Sequence, residues 1–317
     1  PSINIEQCSS ETTAADKVEI LKQKVTSGFY KAVDLTGGFG VDSFFLSSIF
    51  KEMDYVEPDE NLFEIAKHNH ITLRESSIQN PVSSTHHHNT TAEKFLDTAN
   101  GKYDLIYIDP SRRTKSNQKI FRFADCQPNL ISLLPRIFEL NNHLLVKASP
   151  LIDLQSGINE LKCVERIFVV AVDNECKEVL FLCQKDFKGE ACVRAVNLKG
   201  SASSGKIESF DFSLSEEKNA VAIFSEPLNY LYEPNASILK SGSFKLIGNK
   251  YRLQKLEQNT HLYTSERVVQ NFPGKVFKID AIVKPDPKAV RVRLPAGQAN
   301  VVTRNYPLNT EQLKKKT

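Results

Sequence analysis

The sequence predicts an α/β fold, in which a mostly parallel β-sheet is covered by helices and closed by an antiparallel hairpin, with a smaller α+β region behind it. Short, continuously apolar stretches alternate with stretches of helical periodicity, which is typical of a parallel sheet buried on both faces. Two later apolar stretches, 167–172 and 179–183, are separated by only six residues. A connection this short permits a hairpin but not a parallel crossover.

The first 150 residues supply the alternating elements. Residues 10–25 carry apolar side chains at helical spacing, and Ser10 is suited to cap that helix. The next apolar stretches end in turn-forming residues, and each is followed by a helical pattern. The sequence therefore predicts strands over 31–35, 54–56, 103–108 and 144–148, helices over 41–50, 60–68 and 121–139, and a loop over 75–88.

Composition excludes several classes of protein. The chain has 317 residues, of which 40% are hydrophobic and 25% charged, as in a globular protein of about two domains. No apolar run reaches the roughly 20 residues that a membrane-spanning helix needs, so no membrane association is predicted. The six cysteines form no C-x-x-C pair. Such cysteine usage favours a reduced, cytoplasmic protein over a disulfide-bonded or zinc-binding one.

Charge is distributed unevenly along the chain. The net charge is +3, but residues 236–317 contain 16 Lys and Arg against five Asp and Glu, whereas the first 235 residues carry a net charge of −8. An acidic body joined to a basic C-terminal part indicates a module that faces a polyanion. A solvated basic surface without a partner is the alternative.

We expect three parts along the chain. Residues 1–26 form an N-terminal helical segment, which we interpret as the remnant of a longer region because the chain begins at Pro1 and not at Met. Residues 27–200 form the main α/β domain. Residues 201–317 form a C-terminal region, expected to be incomplete, that begins after the small-residue stretch 199–205, a composition typical of linkers.

A glycine-rich turn follows the first predicted strand. Asp34 and Thr36 precede Gly37, Gly38 and Gly40, and glycines at the carboxyl end of a strand let the backbone approach a ligand closely. The turn lacks the Gly-Lys-Ser/Thr sequence of a phosphate-binding P-loop. A dinucleotide fingerprint would need a further glycine where Ser43 stands, and an acid before the turn suits a positively charged ligand. The turn therefore favours a cationic or amino-bearing ligand.

Two further positions extend this predicted ligand site. Glu57 ends the second strand, where an acidic residue can hold both hydroxyls of a ribose. An ordinary turn with a chance acid downstream is the alternative. Thr91 and Ala92 stand further along the chain, at a position where such folds often bind the adenine amine. If this position is shifted from 91 to 93, Glu93 takes that role.

Three consecutive histidines, residues 86–88, resemble a metal site at first sight. Neighbouring side chains in an extended chain point in opposite directions, and no carboxylate or cysteine stands at ligand spacing. We therefore expect a solvated loop and no metal.

The third strand ends in Asp109, Pro110, Ser111, Arg112 and Arg113. Ligands bind at the carboxyl edge of such sheets, so Asp109 can accept a hydrogen bond from a nucleophilic amine while Pro110 fixes the backbone. The two arginines can contact a phosphate backbone or a carboxylate. Alternatively, Asp109 caps the following turn and the arginines are surface charges.

A lysine ends the fourth strand on the same edge of the sheet. Lys147 can enter the site, although such a residue more often pairs with a neighbouring carboxylate. Asp109, Pro110 and Lys147 are thus the candidate catalytic residues, and Arg112 and Arg113 the candidate substrate-binding ones.

With these residues the sequence resembles the class I S-adenosylmethionine-dependent methyltransferases. More closely, it resembles bacterial proteins that join such a domain to ferredoxin-like and THUMP-like regions. The resemblance covers nearly the whole chain. It is carried by residues 6–11, 34–40, 57, 109–113, 147–150, 174–178, 230–235, 261–265, 272–274 and 304–307.

The resemblance implies a Rossmann-like, seven-stranded methyltransferase sheet in residues 27–200, and ferredoxin-like and THUMP-like parts in 201–317. It implies that the glycine turn borders the methionine part of S-adenosylmethionine and that Glu57 binds its ribose. Family members that methylate exocyclic amines have a second proline and an aromatic ring where Ser111 and Arg112 stand here. THUMP regions are associated with RNA, in agreement with the basic C-terminal part.

The predicted function is methyl transfer from S-adenosylmethionine to RNA, at a base nitrogen. The altered sequence after Pro110 motivates one alternative, an inactive methyltransferase-like module that only binds RNA. An NAD-dependent oxidoreductase is a further alternative, disfavoured by Ser43 and by the terminal hairpin.

Overall fold

The computed structural model describes residues 8–23, 30–76, 84–112, 122–200, 205–284, 286–294 and 298–316. The chain divides into two compact units. The first comprises Pro1–Leu214 with Ala236–Ser241, and the second comprises Ser215–Asn235 with Gly242–Thr317.

Strands and helices alternate through the first unit, as the sequence predicts. In chain order they are α1 (Glu11–Lys22), β1 (Lys31–Asp34), α2 (Val41–Leu46), β2 (Glu52–Val56), α3 (Glu60–Ser76), β3 (Ser84–His88), α4 (Ala92–Thr98), β4 (Leu105–Ile108), β5 (Ser111–Arg112), β6 (Cys126–Gln127), α5 (Leu130–Leu140), β7 (His143–Ala148), α6 (Leu154–Leu161), β8 (Val164–Val172), β9 (Glu175–Gln184), β10 (Cys192–Lys199) and β11 (Lys206–Ser213). A short helix, Ala236–Ser241, completes the unit.

Nine of these strands form one sheet in the order β11-β10-β8-β9-β7-β4-β1-β2-β3. The pairings β1–β2, β1–β4, β2–β3 and β4–β7 are parallel, and β9 is inserted antiparallel between β7 and β8. The α/β prediction with a terminal hairpin is confirmed. The parallel register brings the carboxyl ends of β1, β2, β4 and β7 to one edge.

The predicted boundary at residue 200 differs from the observed division. β10 and β11 pair antiparallel along their whole length, so the sheet carries two strands more than the expected seven. The small-residue stretch 199–205, of which 201–204 lie outside the described residues, connects two strands of one sheet. Loops and domain linkers share this composition, so composition alone does not distinguish them.

The predicted loop over 75–88 is wrong at both ends, because α3 extends to Ser76 and residues 84–88 form β3, paired in parallel with β2. Residues 77–83 lie outside the described part of the chain. The polarity of residues 84–88 concealed the strand. The His87 ring packs 5.5 Å from the Tyr55 ring, between centroids, and His88 Nε2 lies 2.9 Å from Asp54 Oδ1. Among the described residues, no three His, Cys, Asp or Glu side chains are placed to hold a metal ion.

The predicted helix over 121–139 begins later, at Leu130. Pro128 disfavours helical geometry in the residue before it, and Asn129 caps the helix by accepting a hydrogen bond from Ser132 N at 3.2 Å. Upstream, β6 pairs with β5.

The second unit is a small α+β domain, as predicted. Its elements are α7 (Leu214–Asn219), β12 (Tyr230–Pro234), α9 (Leu246–Tyr251), β13 (Gln254–Lys255), β14 (Tyr263–Ser265), β15 (Gly274–Lys278), α10 (Pro287–Arg293) and α11 (Thr310–Lys316). Leu214, the first residue of α7, belongs to the first unit. The short helix Ala236–Ser241, labelled α8, follows β12 along the chain and also belongs to the first unit. The four strands form an antiparallel sheet in the order β13-β14-β12-β15. No helix in the described part of the chain has both the length and the apolar character to cross a membrane.

Candidate active site

A cavity of about 360 Å³ opens at the carboxyl ends of β1, β2, β4 and β7. The structure brings together there most of the residues that the sequence singles out. Those lining the cavity are Asp34, Thr36, Gly37, Gly38, Glu57, Thr91, Ala92, Asp109 and Lys147. Gly40 lies in the turn behind this wall, where it precedes α2.

The glycine turn is fixed by backbone hydrogen bonds and by a packed aromatic ring. Gly37 N donates to Val56 O at 2.8 Å, and Tyr55 Oη donates to Gly38 O at 2.6 Å. A Cβ atom at Gly37 would lie 2.1 Å from the Tyr55 ring, so only glycine fits there. The turn therefore presents bare backbone to the cavity.

Gly40 is needed for two reasons at once. Its φ of 77° is left-handed, and a Cβ atom would lie 2.4 Å from Nε2 of the buried His70. That Nε2 is 2.8 Å from Gly40 O, so it donates, and Nδ1 then accepts from His87 Nε2 at 3.0 Å. Burial lowers the pKa of both imidazoles, that of His87 to about 4, so both rings are uncharged at neutral pH.

Replacing Gly40 by alanine is expected to destabilise the protein by roughly 2–4 kcal/mol, because backbone strain and the collision with His70 add. Gly101→Ala is the matched control, since Gly101 also has a positive φ, 101°, but nothing within 4 Å of a new Cβ. It should cost only about 1 kcal/mol. Denaturant unfolding of both variants measures the difference, and equal losses would contradict the role assigned to His70.

Glu57 lines the cavity beside the glycine turn. Its side chain accepts hydrogen bonds from Gly38 N and Asp59 N, both at 2.8 Å, and the residue is only 7% exposed. A carboxylate accepts about four hydrogen bonds, so the described contacts leave two acceptor positions. Burial raises the pKa of Glu57.

Asp34 lies beneath the turn and is almost fully buried. Its carboxyl group accepts hydrogen bonds from Ser43 Oγ at 2.5 Å and from Thr36 N at 3.0 Å. Burial raises the pKa of Asp34 to about 7, although both hydrogen bonds oppose this shift. A positively charged ligand in the cavity would favour its ionised form.

Asp109 and Lys147 form an ion pair at the end of the cavity. Lys147 Nζ lies 2.6 Å from Asp109 Oδ2, and Asp109 N donates to Thr36 Oγ1 at 2.7 Å. Burial alone would lower the pKa of Lys147, but the carboxylates of Asp109, Asp42 and Glu178 outweigh it and raise the pKa. Lys147 is therefore a cation that holds Asp109 in place.

A second, larger cleft of about 700 Å³ adjoins this cavity. Asp109, Ser111 and Lys147 line both spaces, and the predicted residue Pro110 lines the second. The ion pair therefore lies where a molecule in the cleft would meet one in the cavity.

The remaining predicted residues are placed as follows. Thr91 caps α4, with its Oγ1 accepting from Lys94 N at 3.3 Å, and Ala92 is buried beside it. Arg112 belongs to β5, but its side chain is outside the described part of the structure, as is the whole of Arg113. Their predicted contacts with a substrate stay predictions.

The sequence did not predict a cluster of buried charges behind the ion pair. Lys17, which is 0% exposed, lies 2.7 Å from Glu178 Oε1 and 3.1 Å from Asp42 Oδ1. Tyr107 Oη and Ser9 Oγ donate to Asp42 Oδ2, each at 2.7 Å. Lys17 and Lys147 lower the pKa of Asp42 to about 2 against the effect of burial. Ser9 and Glu178 lie in stretches 6–11 and 174–178, two of those that carry the family resemblance, and this was the only indication of the cluster in the sequence.

Two domain families match the C-terminal part of the chain. Residues 230–273 match a ferredoxin-like domain, and residues 274–317 match a THUMP domain-like family. The two matches meet at the start of β15, which pairs with β12, so both contribute to one sheet.

Comparison with solved structures extends the likeness to the whole chain. A "putative methyltransferase" from Porphyromonas gingivalis W83 is 29% identical, covers 99% of this chain and 75% of its own, and superposes with a TM-score of 0.84. More distant likenesses include a "putative methyltransferase" from Streptococcus mutans solved with SAH (14%, 44% of this chain, 73% of that one, TM-score 0.32). Another is a "putative rRNA-methylase" from Clostridium thermocellum (14%, 56%, 99%, TM-score 0.37). No curated protein matches the sequence.

The first unit thus has the fold of the class I methyltransferases, with its cavity at the carboxyl edge of the sheet. The resemblance stated from the sequence is confirmed: in this chain the fold is combined with matches to ferredoxin-like and THUMP-like domains.

Proposed function

We propose that this protein transfers a methyl group from S-adenosylmethionine to a base nitrogen of RNA. The observation that carries the proposal is the charge of the cavity. Five carboxyl side chains line it, against one lysine, among the described residues; they are Asp34, Asp42, Glu57, Glu93 and Asp109, opposed by Lys147. Such a lining favours a ligand that carries positive charge and disfavours the pyrophosphate of NAD.

The residues present also fit the separate parts of S-adenosylmethionine. The size of S-adenosylmethionine suits a cavity of about 360 Å³. The two free acceptor positions of Glu57 match two ribose hydroxyls, and the bare backbone at Gly37 and Gly38 allows close approach of the methionine part. Thr91 and Ala92 would border the adenine.

Asp109 is the residue that would orient the acceptor. When bound, S-adenosylmethionine would supply a methyl group on a positively charged sulfur: the carbon–sulfur bond would break as the bond to the acceptor nitrogen forms, leaving SAH, and the methylated nitrogen would lose its proton to solvent. Lys147 holds Asp109 Oδ2, while Oδ1 takes no hydrogen bond from any described residue. Oδ1 can therefore accept a hydrogen bond from the acceptor N–H and direct the nitrogen lone pair at the methyl carbon.

Support for RNA comes from the second unit. Beside its THUMP-like match, β15 exposes Lys275 and Lys278, and Phe277 of the same strand has a half-exposed side chain. Arg291 and Arg293 of α10 are exposed as well. Lysines beside an accessible aromatic ring suit single-stranded nucleic acid, which they hold by phosphate contacts and base stacking.

The proposal is tested with two measurements on the full chain. Calorimetry should show binding of SAH with little binding of NAD. Incubation with radiolabelled methyl donor and total cellular RNA should label RNA, with bulk protein as the parallel acceptor. Binding of NAD in place of SAH would support an oxidoreductase, and RNA binding without label would support the inactive module.

The RNA surface gives a separate prediction. Affinity for RNA should fall steeply with salt, and the double variant Lys275→Gln/Lys278→Gln should reduce the slope of log K against log salt by about 1–2. Lys185→Gln/Lys188→Gln is the matched control, since these two lysines are also exposed and three residues apart but lie in the first unit. An unchanged slope in the β15 variant would remove this surface from the proposal.

A further inference from the structure

We propose that Lys17, on α1, is a positioning residue for methyl transfer: it pairs with Glu178 and Asp42 and thereby leaves Lys147 to hold Asp109. This inference rests on the proposed function and adds to it a residue that lies on the N-terminal helix, outside the strands that form the cavity.

The distances show how the two lysines divide the carboxylates between them. Lys17 Nζ lies within 2.8 Å of both oxygens of Glu178 and 3.1 Å from Asp42 Oδ1. Lys147 Nζ is 2.6 Å from Asp109 Oδ2 but 3.7 Å from Asp42 Oδ2. Asp42 is thus the carboxylate that both ammonium groups reach.

Burial makes this division matter. Lys17, Asp42 and Glu178 are 0%, 9% and 2% exposed, whereas the Asp109 side chain is 34% exposed. An unpaired charge costs far more in the interior than at a partly solvated position. If Lys17 lost its charge, Lys147 would be drawn to the two buried carboxylates, and Asp109 would be released towards solvent.

Ser9 strengthens the connection between the lysines. Its Oγ accepts from Lys17 Nζ and Lys147 Nζ, each at 3.2 Å, and donates to Asp42 Oδ2. A shift of Lys147 towards Asp42 therefore needs only a small change in a contact that already exists.

The test compares Lys17→Met with the double variant Lys17→Met/Glu178→Gln. The single variant leaves two buried carboxylates without a lysine of their own, and kcat should fall on the order of 10- to 100-fold while SAH affinity stays within about three-fold. The double variant removes the charge of Glu178, so that Lys147 is shared between Asp42 and Asp109 only, and kcat should rise above that of the single variant without reaching the wild-type value. Glu178→Gln alone leaves Lys17 paired with Asp42 and should retain activity.

A pH profile separates this role from a merely structural one. Burial raises the pKa of Glu178, and loss of Lys17 should raise it further. In Lys17→Met the activity relative to wild type should recover as pH falls and Glu178 takes up a proton; the double variant should show no such recovery. The other charged groups facing this cluster are Asp16, Asp42, Lys147 and Arg194. Loss of Lys17 should raise the pKa of Asp16 and of Asp42 in the single and the double variant alike, so the comparison of these two variants isolates the contribution of Glu178.

Crystal structures of the variants give a readout that does not need activity. The separation of Lys147 Nζ and Asp109 should exceed 4 Å in Lys17→Met, by the 4.0 Å limit for an ion pair, and be shorter in the double variant. If Lys17→Met does not fold, Lys17→Gln creates the same charge deficit and takes its place. An intact Lys147–Asp109 pair in the single variant, or no recovery in the double variant, would overturn the inference. Absence of methyl transfer by the wild-type protein would instead overturn the proposed function.

Discussion

Replacement of Glu57 by glutamine is expected to weaken binding of SAH on the order of 10²- to 10³-fold. We expect the carboxylate to hold two ribose hydroxyls, and each hydrogen bond to a charged acceptor contributes about 1.5–3 kcal/mol. Each 1.4 kcal/mol changes affinity about ten-fold, so the loss of both would exceed 10²-fold. Isothermal calorimetry with SAH measures the change directly.

The same substitution also disturbs the glycine turn. Both Glu57 oxygens accept hydrogen bonds from backbone N–H groups, of Gly38 and Asp59. A glutamine would point its amide N–H₂ group at one of them, where two donors would face each other. The effect on affinity therefore combines lost ribose contacts with a displaced turn.

Glu93→Gln is the matched control for this experiment. Glu93 lines the same cavity and loses the same charge, but it is exposed and lies outside the glycine turn. It should change SAH affinity less than about three-fold, as expected for an exposed charge. If both variants bind SAH equally weakly, net charge and not ribose recognition explains the site; if both bind normally, the nucleoside lies elsewhere.

Much of the fold could be predicted because the strands of a parallel sheet are buried on both faces. β4 consists of four buried residues and β7 of four buried apolar residues with His143 and Lys147, so an apolar run identifies each strand. β3 could not be recognised in this way, because it is an edge strand whose residues include three histidines. Its stabilising contacts, of His87 with Tyr55 and of His88 with Asp54, join residues more than 30 positions apart.

The candidate site could be predicted where it depends on local sequence. The glycine turn, Glu57 and Asp109 each follow a strand, and parallel strands bring their ends together. Lys17 offered no comparable signal, since it occupies one position of a helix that otherwise buries Ala14, Val18 and Leu21. Its partner Glu178 is 161 residues away, so only the packing of α1 reveals the pair.

Replacement of Asp109 by alanine is expected to reduce kcat on the order of 10²- to 10³-fold with SAH affinity changed less than about three-fold. The variant loses the acceptor that orients the nucleophile, and misplacement of about 1 Å can cost on the order of 10²-fold in rate. It does not touch the glycine turn or Glu57, so nucleoside binding should persist. Single-turnover methylation of RNA with radiolabelled donor measures kcat separately from binding.

Asp109→Asn and Asp97→Ala complete the comparison. Asparagine keeps a side-chain oxygen but no longer attracts Lys147, which would turn towards Asp42, 3.7 Å away, so we expect an intermediate loss. Asp97 is an exposed carboxylate on α4, so Asp97→Ala should leave kcat and SAH affinity unchanged. Full activity in Asp109→Ala would show that the acceptor is oriented by another group. Asp109 lies where the cavity and the cleft meet, so the orienting group would then be a hydroxyl or ammonium group that lines both spaces. Ser111 and Lys147 are the first candidates.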